Sequence, residues 1–194
     1  MVLAAGQSRR MGETNKLLAD WAGKSLIQHS VDAALASGAD PVYVITGHDG
    51  DRVARQLIAR EVVVVRNPEY AQGLSSSLQA AVRVVPETVA GIVVCLGDMP
   101  LVRAAHLDAL IAAFSLHQNS AICMPVFQGK RGNPVLLGRE LFAQLAEIEG
   151  DRGARGLISD RDELVVEVPV EDPGVLIDID TPAALSKLNA QATC

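Results

Sequence analysis

Positive charge is in deficit along this chain. Seventeen Lys and Arg face 23 Asp and Glu, a formal net charge of −6 over 194 residues. That balance argues against nucleic acid as a partner, because such binding draws its affinity largely from neutralising phosphates. Aromatic residues are scarce too, at 3% of the chain, and Trp21 and Phe127 stand too isolated to support base stacking. No apolar run approaches the ~20 residues of a membrane span, so no membrane partner is expected. The three cysteines, Cys95, Cys123 and Cys194, show no C-x-x-C spacing. Two lie in apolar, strand-like runs, where Cys acts as a small hydrophobe. With no disulfide framework and no signal peptide, a cytoplasmic location is expected. Two glycine fingerprints are also missing: the G-x-x-x-x-G-K-[ST] of a P-loop and the G-x-G-x-x-G of a dinucleotide-binding turn. The second absence argues against an oxidoreductase.

What the chain does have is aliphatic residues, spread over short runs: 49% of it is hydrophobic, with a mean hydropathy of +0.23. This fits buried parallel strands packed against Ala-rich helices. Strands are expected near Val2–Ala4, Val42–Thr46, Val62–Val65, Ile92–Leu96, Ala121–Val126, Leu164–Val168 and Leu176–Ile179. Helices are expected over about Ser25–Ser37, Asp51–Arg60, from Ser75–Ser77, Arg103–His117, Glu140–Ile148, within Gly150–Ser159, and after Thr181-Pro182. Phe127–Pro134 reads as a glycine-rich excursion. The alternation predicts a Rossmann-like α/β fold: three αβα layers, a mostly parallel sheet and helices on both faces. One domain, 1–194, is expected. The lead before Ala4 gives the first strand almost no room, which suggests a few native residues before Met1.

The first strand opens into Leu3-Ala4-Ala5-Gly6-Gln7-Ser8-Arg9-Arg10-Met11-Gly12 and then Lys16. Four cations, Arg9, Arg10, Lys16 and Lys24, outnumber Glu13 and Asp20 over residues 1–24. Glycines that free backbone N–H groups, with fixed cations beside them, suit a polyphosphate. Arg10 and Lys16 are therefore candidate catalytic groups. Asp98, in Leu96-Gly97-Asp98-Met99-Pro100, follows the most hydrophobic strand, at the sheet edge where open α/β folds bind ligands. Two readings stand for it: holding Mg²⁺ against a phosphate oxygen, or capping the next helix. Asp180, in Asp178-Ile179-Asp180-Thr181-Pro182, offers a second carboxylate to the same metal, or an N-cap with Pro182 in the first turn.

Leu3-Ala4-Ala5-Gly6, Arg10-Met11-Gly12, Asn15-Lys16-Leu17, Gly97-Asp98-Met99-Pro100 and Arg131-Gly132-Asn133-Pro134 together resemble the MobA-like nucleotidyltransferases, and within them the branch that transfers cytidylyl groups to the molybdenum cofactor. Thr46-Gly47-His48, Asn67-Pro68, Gly73 to Leu78 and Gly150 to Arg155 fall in the same order, so the likeness spans nearly the whole chain. The resemblance implies the nucleotide-diphospho-sugar transferase type of fold, with a nucleotide-binding half over about 1–100 and an acceptor-binding half over about 101–194. It implies that Leu3, Ala4, Ala5, Gly6, Lys16, Thr46, Asn67, Gly73, Ser75 and Ser76 bind the nucleotide, that Arg10 and Lys16 hold the triphosphate, and that Asp98 ligates Mg²⁺, with Asp180 a further candidate. Guanylyl-transferring relatives typically read Leu-Ala-Gly-Gly at the first motif. Ala5 adds a methyl against base or ribose, consistent with CTP.

The implied acceptor is a molybdopterin-type cofactor carrying a terminal phosphate, with Arg131, Asn133 and Arg155 as acceptor-binding candidates. A molybdoenzyme or its chaperone would receive the product. Lys130 and Arg152 offer further cations, and His48 is placed to touch ribose or base; ordinary exposed loop residues are the competing reading for each. A guanylyltransferase, a cytidylyltransferase acting on another phosphorylated small molecule, and a non-catalytic pterin carrier are the alternative functions.

Overall fold

The computed structural model describes residues 1–8, 15–117, 122–150 and 153–192. Strand β1 (Val2–Ala4) is buried throughout. A single helical turn at Lys16–Leu18 follows, then a hairpin of β2 (Asp20–Trp21) and β3 (Lys24–Ser25). The hairpin is not evident in the residue pattern, since each strand has two residues. Its turn residues Ala22 and Gly23 have φ of 50° and 80°, the left-handed geometry that suits the twist of a two-residue connection.

Helix α1 (Leu26–Leu35) leads to β4 (Tyr43–Thr46), α2 (Gly50–Arg55), β5 (Val63–Arg66), α3 (Leu74–Val82), β6 (Gly91–Leu96) and α4 (Ala104–Leu116). At the start of α1, Gln28 Oε1 accepts the Ser25 N–H at 2.9 Å. The second half of the chain holds β7 (Ile122–Phe127), β8 (Lys130–Arg131), β9 (Val135–Gly138), α5 (Phe142–Glu147), α6 (Arg155–Asp160), β10 (Val165–Pro169) and α7 (Pro182–Ala192).

The main sheet runs β10-β7-β9-β6-β1-β4-β5, with β8 paired to β7. β9 is antiparallel to both neighbours and β8 to β7; the remaining pairs are parallel. Side chains alternate across the sheet, as the strand period of two requires. Val2, Ala4, Val93 and Cys95 join α1 and α4 in one core. Leu3, Ile92 and Val94 join α3, α5 and α6 in the other. The result is the expected three-layer αβα arrangement, with β6 near its middle.

Two expectations change. Leu176–Ile179 is not a strand: Pro173–Leu176 forms a tight helical turn. Single bonds, Asn133 N–H to Val175 O and Ile179 N–H to Asp98 O, both 2.9 Å, tie this segment down without a ladder. Conversely, the excursion after Phe127 is a β7–β8 hairpin, and it feeds the fully buried β9. Helix α2 also ends at Arg55, earlier than its apolar spacing predicts. Cys95 and Cys123 are buried, unpaired packing residues, while Cys194 lies outside the described residues.

Candidate active site

A cleft of about 530 Å³ opens at the carboxyl edge of β1 and β6. Its floor is Leu3, Ala4, Ala5 and Gly6; Lys16, Asp98 and Asp180 form its charged end; Tyr70, Gly73, Leu74 and Ser77 line it further on.

Local chemistry builds the charged end. Ser8 takes a φ of 50° as the chain leaves β1, and its hydroxyl accepts the Lys16 N–H at 3.2 Å. Asn15 Oδ1 accepts from Leu17 N–H at 3.0 Å and from the Ser8 hydroxyl at 3.3 Å. With Leu17 buried, these bonds hold the Lys16 turn against Ser8, and Lys16 lines the cleft. Gly97 lets β6 run tight against β1: its N–H donates to Leu3 O at 3.0 Å. A Cβ there would meet Ile27 Cδ1 at 2.9 Å and that same Leu3 oxygen at 3.1 Å. Asp180 arrives because Ile179 N–H is bonded to Asp98 O.

The ammonium of Lys16 donates to Asp98 Oδ2 and to Asp180 Oδ1. Side-chain exposures are low, 14% for Lys16, 15% for Asp98 and 24% for Asp180. For Lys16, burial is the largest single influence and works against the charge. The Asp98 charge and the bonds to both carboxylates together outweigh it and hold the ammonium above its usual range. Burial pushes the Asp98 carboxyl up, helped by the Asp180 charge, and Lys16 only partly offsets this. The helix that follows Asp180 is capped by the Thr181 hydroxyl, which accepts the Ala184 N–H at 3.2 Å. The N-cap role thus falls to Thr181, while the Asp180 carboxylate faces Lys16.

Not every residue singled out from the sequence reaches the cleft. Leu3, Ala4, Ala5, Gly6, Lys16, Gly73, Asp98 and Asp180 line it. Thr46, Asn67, Ser75 and Ser76 are buried outside its lining. Asn67 staples the far wall: its Nδ2 donates to Ser76 Oγ at 2.9 Å and Ser77 Oγ at 3.2 Å, and its Oδ1 accepts Glu69 N–H at 2.9 Å. Arg131 pairs with Glu167 at 2.8 Å and Asp162 at 2.5 Å. Neither Arg131, half-buried Asn133 nor exposed Arg155 lines the cleft. Asn133 nonetheless precedes β9, whose antiparallel pairing with β6 puts its start at the carboxyl edge. Arg10 and Arg152 lie outside the described residues. Tyr70, Leu74 and Ser77 are cleft residues that sequence reasoning did not single out for binding; the aromatic before Gly73 and the serine run after it were the available signals.

Comparison with known proteins bears on this arrangement. A family model described as the MobA-like NTP transferase domain matches residues 1–165. The chain belongs to that family. This MobA-like chain is 29% identical over 183 residues to the molybdenum cofactor cytidylyltransferase of Escherichia coli (strain K12), covering 94% of itself and 90% of that protein. It is also 24% identical over 196 residues to the nicotine blue oxidoreductase of Paenarthrobacter nicotinovorans, covering 97% and 94% respectively. Among solved structures, it is 27% identical to Rv0371C of Mycobacterium tuberculosis H37Rv in complex with manganese, with a TM-score of 0.79 and coverage of 97% and 96%. This MobA-like chain is accordingly a nucleotidyltransferase.

Proposed function

We propose that this nucleotidyltransferase moves CMP from CTP to the terminal phosphate of a molybdopterin-type cofactor, with Mg²⁺ and release of pyrophosphate. The observation that carries the reading is the sharing of Lys16 between Asp98 and Asp180 at the mouth of the β1 loop. Relatedness to the E. coli cytidylyltransferase supports the choice of base and acceptor, and Ala5 before Gly6 agrees with it.

The donor set fits the metal. Two carboxylates converge on one cationic group, and no third acidic, His or Cys side chain joins them in a cluster among the described residues. Few carboxylates, with the remaining positions left for phosphate and water oxygens, is the set Mg²⁺ prefers. Asp98 and Asp180 would hold it, and when bound it would neutralise phosphate charge and orient the triphosphate.

The chain's own groups then perform a positioning task. An acceptor phosphate monoester is already anionic near neutral pH, so its oxygen attacks the α-phosphorus without a general base. A new P–O bond forms there, the bond to the β-phosphate's bridging oxygen breaks, and pyrophosphate leaves with its charge. Lys16 is the group that stabilises that leaving charge, with Arg10 as a second cation. Backbone N–H groups of the Ala5–Ser8 loop hold phosphate oxygens, and the buried floor of Leu3 and Ala4 keeps water out.

Incubating the protein with each NTP, Mg²⁺ and a molybdopterin acceptor tests the reading. Pyrophosphate release with CTP is expected; release with GTP alone overturns the base, and pterin binding without pyrophosphate release indicates a carrier. A redox reading draws on the oxidoreductase relative. Oxidation of NADH or NADPH dependent on the protein would support it over nucleotidyl transfer.

A further inference from the structure

The part of the cleft lined by Ala5 and Tyr70 is built around a glycine that has no room for a side chain. The turn Tyr70–Gln72 follows β5, yet it folds back toward the ends of β4 and β1, strands that are neighbours in the sheet. It packs there against Gly47, which follows β4. A Cβ on Gly47 would sit 2.5 Å from Tyr70 Cβ, 2.8 Å from Tyr70 Cγ and 2.8 Å from Ala5 Cβ. Since its φ is not positive, space rather than backbone conformation makes glycine necessary here.

The Ala5 methyl and the Tyr70 side chain therefore close on the same point above Gly47. His48 N–H donates to Ala5 O at 3.3 Å, and the His48 and Tyr70 rings lie 6.0 Å apart at 50°. Asn67 fixes the segment that carries the tyrosine through Glu69 N–H and the serine hydroxyls of α3. Tyr70 lines the cleft; Gly47 does not.

We propose that Tyr70 is the wall that limits the size of the nucleoside, and that Gly47, Ala5 and Asn67 act through it as positioning residues. This rests on the reading that the cleft takes a nucleoside triphosphate, with the charged end receiving phosphates. It changes the part assigned to Ala5. Its methyl packs on Gly47, so it excludes a purine by holding the Tyr70 side chain forward as well as by its own volume. A rigid ring discriminates by size because a larger base must displace packed atoms, which a close-packed interior resists.

The test measures equilibrium binding of CTP and of GTP, each with Mg²⁺, to the wild type and to Tyr70→Ala, Tyr70→Phe and Gly47→Ala. A ratio of affinities within one variant is insensitive to a loss of folded fraction, which covers the risk that Gly47→Ala misfolds in part. Tyr70→Ala is expected to lower the CTP-over-GTP ratio about tenfold, the scale at which pocket volume discriminates, and Tyr70→Phe to keep it. Gly47→Ala should shift the ring and raise KM for CTP, leaving kcat within about threefold, because a contact made equally in ground state and transition state affects binding and not the chemical step. A Tyr70→Ala ratio equal to that of a CTP-preferring wild type overturns the wall alone. A wild type that prefers GTP overturns both the wall and the base assignment, and one that binds neither nucleotide overturns the reading of the site.

Discussion

Lys16 rests on the carboxylate of Asp98, 82 positions away in the chain. The first opens the helical turn that follows β1, the second follows the end of β6, and the parallel pairing of those strands brings them together. Asp180 completes the set from a segment with no ladder of its own. A cation thus lies where two carboxylates would take a divalent metal.

Replacing Lys16 by Met is expected to strengthen metal binding in the absence of nucleotide, because a competing cation is removed from Asp98 and Asp180. Titration with Mn²⁺, followed by electron paramagnetic resonance, checks it. Pyrophosphate release should fall by about 100-fold or more, the usual effect of losing a group that stabilises transition-state charge. Unchanged Mn²⁺ affinity would show that Lys16 and the metal do not share these carboxylates.

Asp98→Ala should abolish measurable metal binding and reduce turnover by a similar factor, about 100–1,000-fold, without loss of the fold. The loop that holds Lys16 depends on Ser8, Asn15 and Leu17 rather than on Asp98. A circular dichroism melt within a few degrees of wild type, with activity lost, is the expected pair of results. Retained activity would remove Asp98 from the metal.

Asp32 gives a pH dependence with a definite sign. Arg60 grips it through two bonds, of 2.6 and 3.1 Å, and Lys24 adds a third at 2.7 Å. Burial, the largest single influence, raises its pKa, but the bonds from Arg60 and Lys24 outweigh that and hold it below the usual carboxylate value. Its contribution to stability is then present above the unfolded pKa of about 3.9 and lost as pH falls through the lower folded value. Asp32→Asn should cost about 1 kcal/mol at pH 7, on the scale of a well-formed surface pair. Urea unfolding of both proteins should converge as pH falls through the lowered folded value; a difference that persists below it would point to packing rather than charge.

Gly132→Ala should destabilise the connection between β8 and β9. An added Cβ would lie 2.3 Å from Val175 O and 2.9 Å from its carbonyl carbon, and backbone cannot yield as a flexible side chain can. A loss of about 1–3 kcal/mol in urea unfolding is expected, as for other overpacked sites. The neighbouring Gly129, which has nothing within 4 Å but a φ of 77°, should lose less on the same change, through left-handed strain alone.

Much of this molecule is legible in its residue order. Short apolar runs alternating with helical spacing lead directly to the parallel half of the sheet, because each buried strand and each amphipathic face carries its own periodicity. β9 is harder to read: Val-Leu-Leu-Gly after a proline has no pattern of its own, and it becomes a strand only because β6 and β7 offer ladders on both sides. The reverse holds for Leu176–Ile179, whose apolar residues look like a strand yet find no partner edge.

The same division runs through the site. Glycines, cations and the Gly97-Asp98 pair are local signals, since each can be read from residue type and spacing alone. Sequence therefore determined the fold class and made the first loop and Asp98 candidates for the site. Tertiary structure decided that Asp180 faces Lys16 while Thr181 caps the helix, that Thr46 and Asn67 are buried outside the cleft lining, and that Tyr70 stands against Gly47 and Ala5. Each of those depends on a distance between residues far apart in the chain, set by strand order and packing, which no local pattern encodes.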